Sequence, residues 1–147
     1  MELIKVEIEV SGQPRGKGRP RFTRNGHTYT DAKTKEYEKR IHAAAWQKMR
    51  ELKLKPIGKF CHLEVIAFME IPKSWSKIKQ LEAEFGTIKP TTKPDLDNII
   101  KAVKDGISGL DGIILDDKQV TSINAKKVYC HPDRGAVLYI CVSWTEA

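Results

Sequence analysis

Residues 94–109 read PDLDNIIKAVKDGISG, and the pattern within them decides the architecture. Leu96, Ile100, Val103 and Ile107 recur every three or four residues, the spacing of one buried helical stripe, and Gly109 stands where a helix is readily ended. With a start near Asp95, Asp97 and Lys101 lie four residues apart and project away from that stripe. The spacing predicts a helix that buries one face and carries charge on the other.

Upstream, Ile4, Val6, Ile8 and Val10 alternate with Lys5, Glu7 and Glu9, the period of a strand with one buried face. Residues 11–30 then turn to Gly, Pro and Arg and predict a mobile basic loop. After Asp31 or Thr34 as a cap, Tyr37, Ile41, Ala44, Ala45, Met49 and Leu52 mark a first main helix, which Pro56 and Gly58 end. Residues 60–69 read as a second strand. Trp75, Ile78, Leu81 and Phe85 predict a short helix, and a Thr-, Lys- and Pro-containing linker follows it.

Downstream, residues 120–129, a turn at 131–135 and the set Leu138, Ile140, Val142 and Trp144 predict a closing hairpin. The order β, α, β, short α, α, β, β, without internal repeats, predicts an α+β fold. It is a single domain over residues 1–147, with a mixed or mostly antiparallel sheet packed with two main helices. The pattern does not fix the strand order.

A chain of 147 residues can bury roughly 68–70% of its unfolded surface without staples. Its 40% hydrophobic and 31% charged composition fits a soluble domain, and no apolar run approaches the roughly 20 residues of a membrane span. Glu2, Glu7 and Glu9 interrupt what a signal peptide would keep apolar, so a cytoplasmic location and no membrane partner are expected. Cys61, Cys130 and Cys141 form neither a CxxC pair nor a complete disulfide set and predict buried thiols. His27, His42 and His62 show no spacing that would complete a zinc site with Cys130 and His131.

The formal charge is +7, yet Asp95, Asp97, Asp116 and Asp117 crowd one part of the chain. Lysine and arginine spread over a surface attract nucleic acid, whereas Mg²⁺ needs a few oxygen ligands held close together. Cutting a phosphodiester calls for both. Asp116 and Asp117 follow an apolar run and precede a strand, so three carboxylates are expected to converge on one ion beside Lys101. Arg15, Lys17, Arg19, Arg21 and Arg24, set among glycines, are the candidate DNA contacts. The same aspartates also have ordinary uses as helix caps, turn residues or a surface ion pair. One metal or two remains open.

The run Lys93 to Ala102, followed by Asp105 and then Leu115, Asp116, Asp117, Lys118, Gln119 and Val120, resembles the RusA-type Holliday junction resolvases. The Gly12 to Arg21 segment with Tyr29 and Thr30, and Pro72, Ser74, Trp75 and Ser76, are similar to the phage-associated branch of that family. The resemblance implies a homodimeric endonuclease that cuts four-way DNA junctions in recombination and repair, with Mg²⁺ as its ion and Mn²⁺ as the alternative. It implies catalytic roles for Asp95, Asp97, Lys101 and Asp117, with Asp116 a further metal candidate. The 12–24 loop is longer and more basic than in some members. A non-catalytic branched-DNA-binding module of the same fold, and a nuclease of broader branched-DNA specificity, are the alternatives. A near two-fold substrate favours a two-fold protein, and residues 4–10 or 138–144 are the candidate contact strands.

Overall fold

The structure, a computed structural model, describes residues 2–18, 21–29 and 32–146. In chain order it contains β1 (Glu2–Ser11), β2 (Arg21–Phe22), β3 (Thr28–Tyr29), α1 (Ala32–Glu51), β4 (Cys61–Met69), α2 (Lys77–Glu84) and α3 (Leu96–Ile107). A 3₁₀ turn (Asp117–Gln119), β5 (Val120–Tyr129) and β6 (Val137–Glu146) complete it. The elements make an α+β domain whose four-stranded mixed sheet has the order β1-β6-β4-β5. No helix among the described residues is long and apolar enough to cross a membrane.

β6 runs antiparallel to both β1 and β4, while β5 runs parallel to β4. The expected β5–β6 hairpin is therefore not formed: the chain steps across β4 between the two strands. Composition explains the choice. β6 is a nearly unbroken apolar run, VLYICV, which suits a strand flanked on both sides, whereas β5 carries Ser122, Asn124, Lys126 and Lys127 and suits an edge.

α1 and α3 pack on one another and cover one face of the sheet. Val6, Ile8 and Val10 of β1, Leu63 and Val65 of β4, and Leu138, Ile140 and Val142 of β6 meet Ile41, Ala45, Ile99, Val103 and Ile107 in one core. These β1 and β6 side chains, with Trp144, are consumed inside the protomer and are not free to make a dimer contact. The two helices approach closely because of Gly106, where an added Cβ would lie 2.6 Å from the Ile41 side chain. The three cysteines are buried and unpaired.

Two local expectations change. The basic loop contains a small β2–β3 ribbon, with Arg21 opposite Tyr29. α2 forms as expected, capped by the Ser76 hydroxyl, which accepts from the Lys79 amide. Its apolar stripe nevertheless faces outward, leaving Ile78 73% and Phe85 79% exposed, while Ala83 takes the inner side. Trp75 packs edge-on against Tyr129 instead of joining that stripe. Of the two expected caps of α1, Thr34 lies inside the helix and is buried, while Asp31, like Thr30, lies outside the described residues.

Candidate metal centre and nucleic-acid interface

Asp95 occupies the N-cap position of α3 with extended backbone, yet its side chain makes no capping hydrogen bond. A carboxylate at this position ordinarily accepts from the first-turn amides. Here it is left for other work. Asp97, in the first turn, and Lys101, one turn later, are both exposed on the outer side of the helix.

Asp117 is brought to α3 by a short, well-tied connection. The Ile113 and Ile114 amides donate to the Ile107 carbonyl, the Ile57 amide donates to the Ile113 carbonyl, and the Leu115 amide donates to the Ile57 carbonyl. Ile113 and Ile114 are fully buried and anchor the segment in the core. The Gln119 amide group donates to the Ile57 and Lys59 carbonyls, which fixes the 3₁₀ turn to the approach of β4.

Within this turn the two adjacent aspartates separate in role. Asp116 is its N-cap, with a carboxylate accepting from the Lys118 amide at 2.9 Å, while its own amide donates to Gln119. The Lys118 amide hydrogen bond holds the Asp116 carboxyl below the ordinary aspartate range. Asp117 instead lines a cavity of about 390 Å³ with Lys17, Gly18, Asn98, Lys101, Lys104 and Asp105. An adjoining cleft of about 300 Å³ is lined by Gly16, Lys17, Gly18, Lys93, Pro94, Asp95 and Asn98. Asp95 and Asp117 thus open onto neighbouring spaces that share Lys17, Gly18 and Asn98, whereas Asp97 lines neither.

Part of the basic segment is docked on α3. The Lys17 amide donates to the Asn98 carbonyl at 2.9 Å, and the Gly18 amide donates to Thr34 Oγ1 at 3.0 Å. Gly16 permits this approach, because a Cβ there would lie 2.8 Å from Asn98 Cβ and 3.0 Å from Pro94 Cβ. The Lys17 ammonium hydrogen-bonds the Asp105 carboxylate and stands 3.5 Å from Glu38 Oε1. The Asp105 hydrogen bond raises the Lys17 pKa above the ordinary lysine value despite partial burial. Burial raises that of Glu38, with Lys17 acting against the shift.

Lys17, a candidate phosphate contact by sequence, is therefore an anchor between the arm, α1 and α3. Asp105 and Glu38 were missed as its partners. Asp105 was legible as a charge one turn beyond Lys101, whereas Glu38 is placed there only by the tertiary packing of α1. Arg15 lines a surface cavity with Lys33, Glu36, Tyr37 and Arg40, and Arg24 is exposed in the β2–β3 ribbon. Arg21 lies on β2, and Arg19 falls outside the described residues.

Among the described residues, no three Asp, Glu, His or Cys side chains are already grouped to hold a metal ion. The convergence expected of the three carboxylates is not preformed. The donor chemistry still fits a hard cation: all oxygen, with Asp95 uncommitted to capping and Asp117 facing the cavity of about 390 Å³. A Mg²⁺ ion keeps several waters and needs only one or two protein carboxylates beside a substrate phosphate.

The model of the RusA endodeoxyribonuclease family matches residues 11–137 of the chain. The protein belongs to the RusA family. The match runs from the basic arm through both aspartate motifs. A Bacillus subtilis (strain 168) relative, the uncharacterized protein YqaN, is 36% identical over 139 residues, covering 90% of this chain and 94% of that one. RusA membership and the site geometry concern the same residues: the arm, the start of α3 and the Asp117 turn.

Proposed function

We propose that the protein is a metal-dependent, structure-selective endodeoxyribonuclease that resolves four-way DNA junctions as a symmetric homodimer, in recombination and repair. The observation that carries this reading is the shared cavity of Asp117 and Lys101, roofed by the docked arm and adjoining the uncapped Asp95. Asp95, Asp97 and Asp117 would hold the ion, Mg²⁺ or Mn²⁺, and Asp116 supports Asp117 by capping its turn. When bound, the ion would lower the pKa of an attacking water and offset charge on the phosphoryl oxygens.

The chain's own residues supply the rest. Lys101 places a positive charge beside the carboxylates, where negative charge grows in the transition state. Arg15, Arg21 and Arg24, with Arg19, bind phosphates and set the duplex against α3. Lys17 and Gly16 hold the arm on the helix, so DNA held by the arm is held near Asp117.

Purified protein with labelled four-way junction, fork and linear duplex, each with and without Mg²⁺, tests the reading. Metal-dependent cutting of the junction in preference to duplex is expected. Binding without cutting would make the protein a branched-DNA-binding module, and equal cutting of forks and junctions would broaden its substrate class.

A further inference from the structure

We infer that residues 120–125 of β5 form the pairing edge of the homodimer, where two copies join antiparallel and continue one mixed sheet. The inference rests on the homodimer reading above and assigns its surface. β5 is an edge strand, bonded to β4 on one side only. Thr121, Ser122, Ile123 and Asn124 are exposed in succession, so this half of the strand is covered on neither face. The other half is flanked by the chain before α3, since Lys127 Nζ donates to the Thr92 and Pro94 carbonyls and Tyr129 meets Trp75.

Charge separates the two sheet edges. β1, the opposite edge, carries Glu2, Lys5, Glu7 and Glu9, the kind of guard that blunts strand pairing. Residues 120–125, VTSINA, carry no charge in a chain that is 31% charged. Surfaces that hold DNA phosphates are basic. An uncharged row of backbone donors and acceptors suits another strand instead, and an antiparallel copy of itself is complementary to it.

The register follows from the side chains. Val120 stands opposite Cys61 and Ile123 opposite Leu63, with a bulge between, so both point to the helix-bearing face. A dyad between Thr121 and Ser122 sets Val120 against the partner's Ile123, twice by symmetry. This would cover the 42% exposure of Ile123 with a β-branched neighbour. The same register brings the acidic turn level with the exposed Lys126 of the partner subunit, so the charges flanking the uncharged core are complementary.

The geometry also suits a two-fold substrate. The dyad of an edge-joined sheet is perpendicular to it, so both α3 helices stay on one side. At ~3.3 Å per residue, Asp117 lies no more than ~15 Å along the strand from the dyad. Stacking two copies on the outer sheet face, at Ile66, Phe68 and Tyr139, would turn the two cavities to opposite sides.

Sedimentation of the full-length protein and cysteine cross-linking test the assignment. Wild type should sediment at twice the 16.7 kDa chain mass, and Ile123→Lys should sediment as a monomer with an unchanged circular dichroism spectrum. An equal mixture of Thr121→Cys and Ser122→Cys chains should give a reducible covalent dimer under mild oxidation, in higher yield than either alone. If Ile123→Lys does not fold, the cross-link decides. A wild-type monomer, or a dimer that survives Ile123→Lys and gives no such cross-link, overturns the inference. Junction cleavage by wild type is scored separately: its absence sinks the nuclease reading, whereas cleavage by a protein with intact β5 edges free in solution sinks only the interface.

Discussion

Gly16→Ala tests whether the docked arm is part of the cutting machinery. Gly16 has no left-handed φ, so alanine is tolerated by the backbone and the substitution acts through contact alone. The added methyl would meet Asn98 Cβ at 2.8 Å, Pro94 Cβ at 3.0 Å and the Asn98 carbonyl carbon at 3.3 Å, and two of these atoms belong to the start of α3. Overpacking of this kind costs about 1–3 kcal/mol. The strain is capped by the cost of undocking, which is two hydrogen bonds, from the Lys17 amide to Asn98 and from the Gly18 amide to Thr34, worth about 0.5–1.5 kcal/mol each, plus the Lys17 ion pairs. Those pairs are about a third exposed, so solvent screening holds them to ~0–1 kcal/mol. A loss of about 1–2 kcal/mol follows, equivalent to a 5- to 30-fold fall in the docked-to-undocked ratio, with ~1.4 kcal/mol per tenfold as the conversion. Protection of the Lys17 amide from hydrogen exchange should drop by about that factor, and single-turnover junction cleavage should drop with the docked population, by up to the same factor. Wild-type cleavage together with reduced Lys17 protection would refute the link between arm docking and catalysis; unchanged protection would refute the steric argument itself.

Asp95→Asn, Asp97→Asn and Asp117→Asn should each lower cleavage at least ~10²-fold while junction binding is kept or tightened, measured by gel shift in parallel. Lys101→Ala should slow cutting at any Mg²⁺ concentration; a normal rate removes Lys101 from the mechanism. Asp116→Asn keeps a good N-cap and should cut within about threefold of wild type; a loss matching Asp117→Asn would make Asp116 a ligand as well. Because the Asp116 carboxyl is held below its ordinary 3.8, the turn's electrostatic support is complete above that pH and is lost as pH falls through the lowered value, which an acid titration of Asp116→Asn against wild type should reveal. Neutralising Arg19 and Arg21 together should weaken binding to all DNA sequences and flatten the salt dependence by about 0.9 for each phosphate that the arginines no longer neutralise; an unchanged slope would assign both to folding. Gly106→Ala should cost about 1–3 kcal/mol, lowering Tm by several degrees in a thermal melt, because Ile41 cannot retreat from a fully buried position.

The parts of the fold legible in the sequence are those that amphipathic period alone determines. The helix predicted from Leu96, Ile100, Val103 and Ile107 is α3, although its buried face runs through Ile99, Ala102, Val103 and Ile107 and leaves Leu96 and Ile100 half-buried, and the alternation from Ile4 to Val10 is β1. Pairing was not legible in the same way, because residues 131–135 fit a turn whether or not the strands on either side bond to each other. The apolar content of β6 on both faces was the available signal for a central strand. Phe85 and Ile78 misled in the opposite direction: an apolar stripe predicts a helix face, and tertiary packing alone determines whether that face is covered. At the site, Asp117 and Lys101 were legible from motif spacing. The capping by Asp116 is local, completed by Lys118 and Gln119 within three residues as a capping box, whereas the anchoring of Lys17 by Asp105 and Glu38 spans up to 88 residues, which no local pattern encodes.

The central claim is that Asp95, Asp97 and Asp117 form a metal-dependent cutting centre for branched DNA. Its most direct measurement is side-by-side cleavage of a labelled four-way junction by wild type and Asp117→Asn across a Mg²⁺ titration, with linear duplex as the control. The account predicts paired cuts in strands of like polarity by wild type, rising with Mg²⁺, with none from Asp117→Asn despite junction binding and little on duplex. Wild-type protein that binds the junction and leaves it intact at every Mg²⁺ concentration, or Asp117→Asn that cuts as well as wild type, would contradict it.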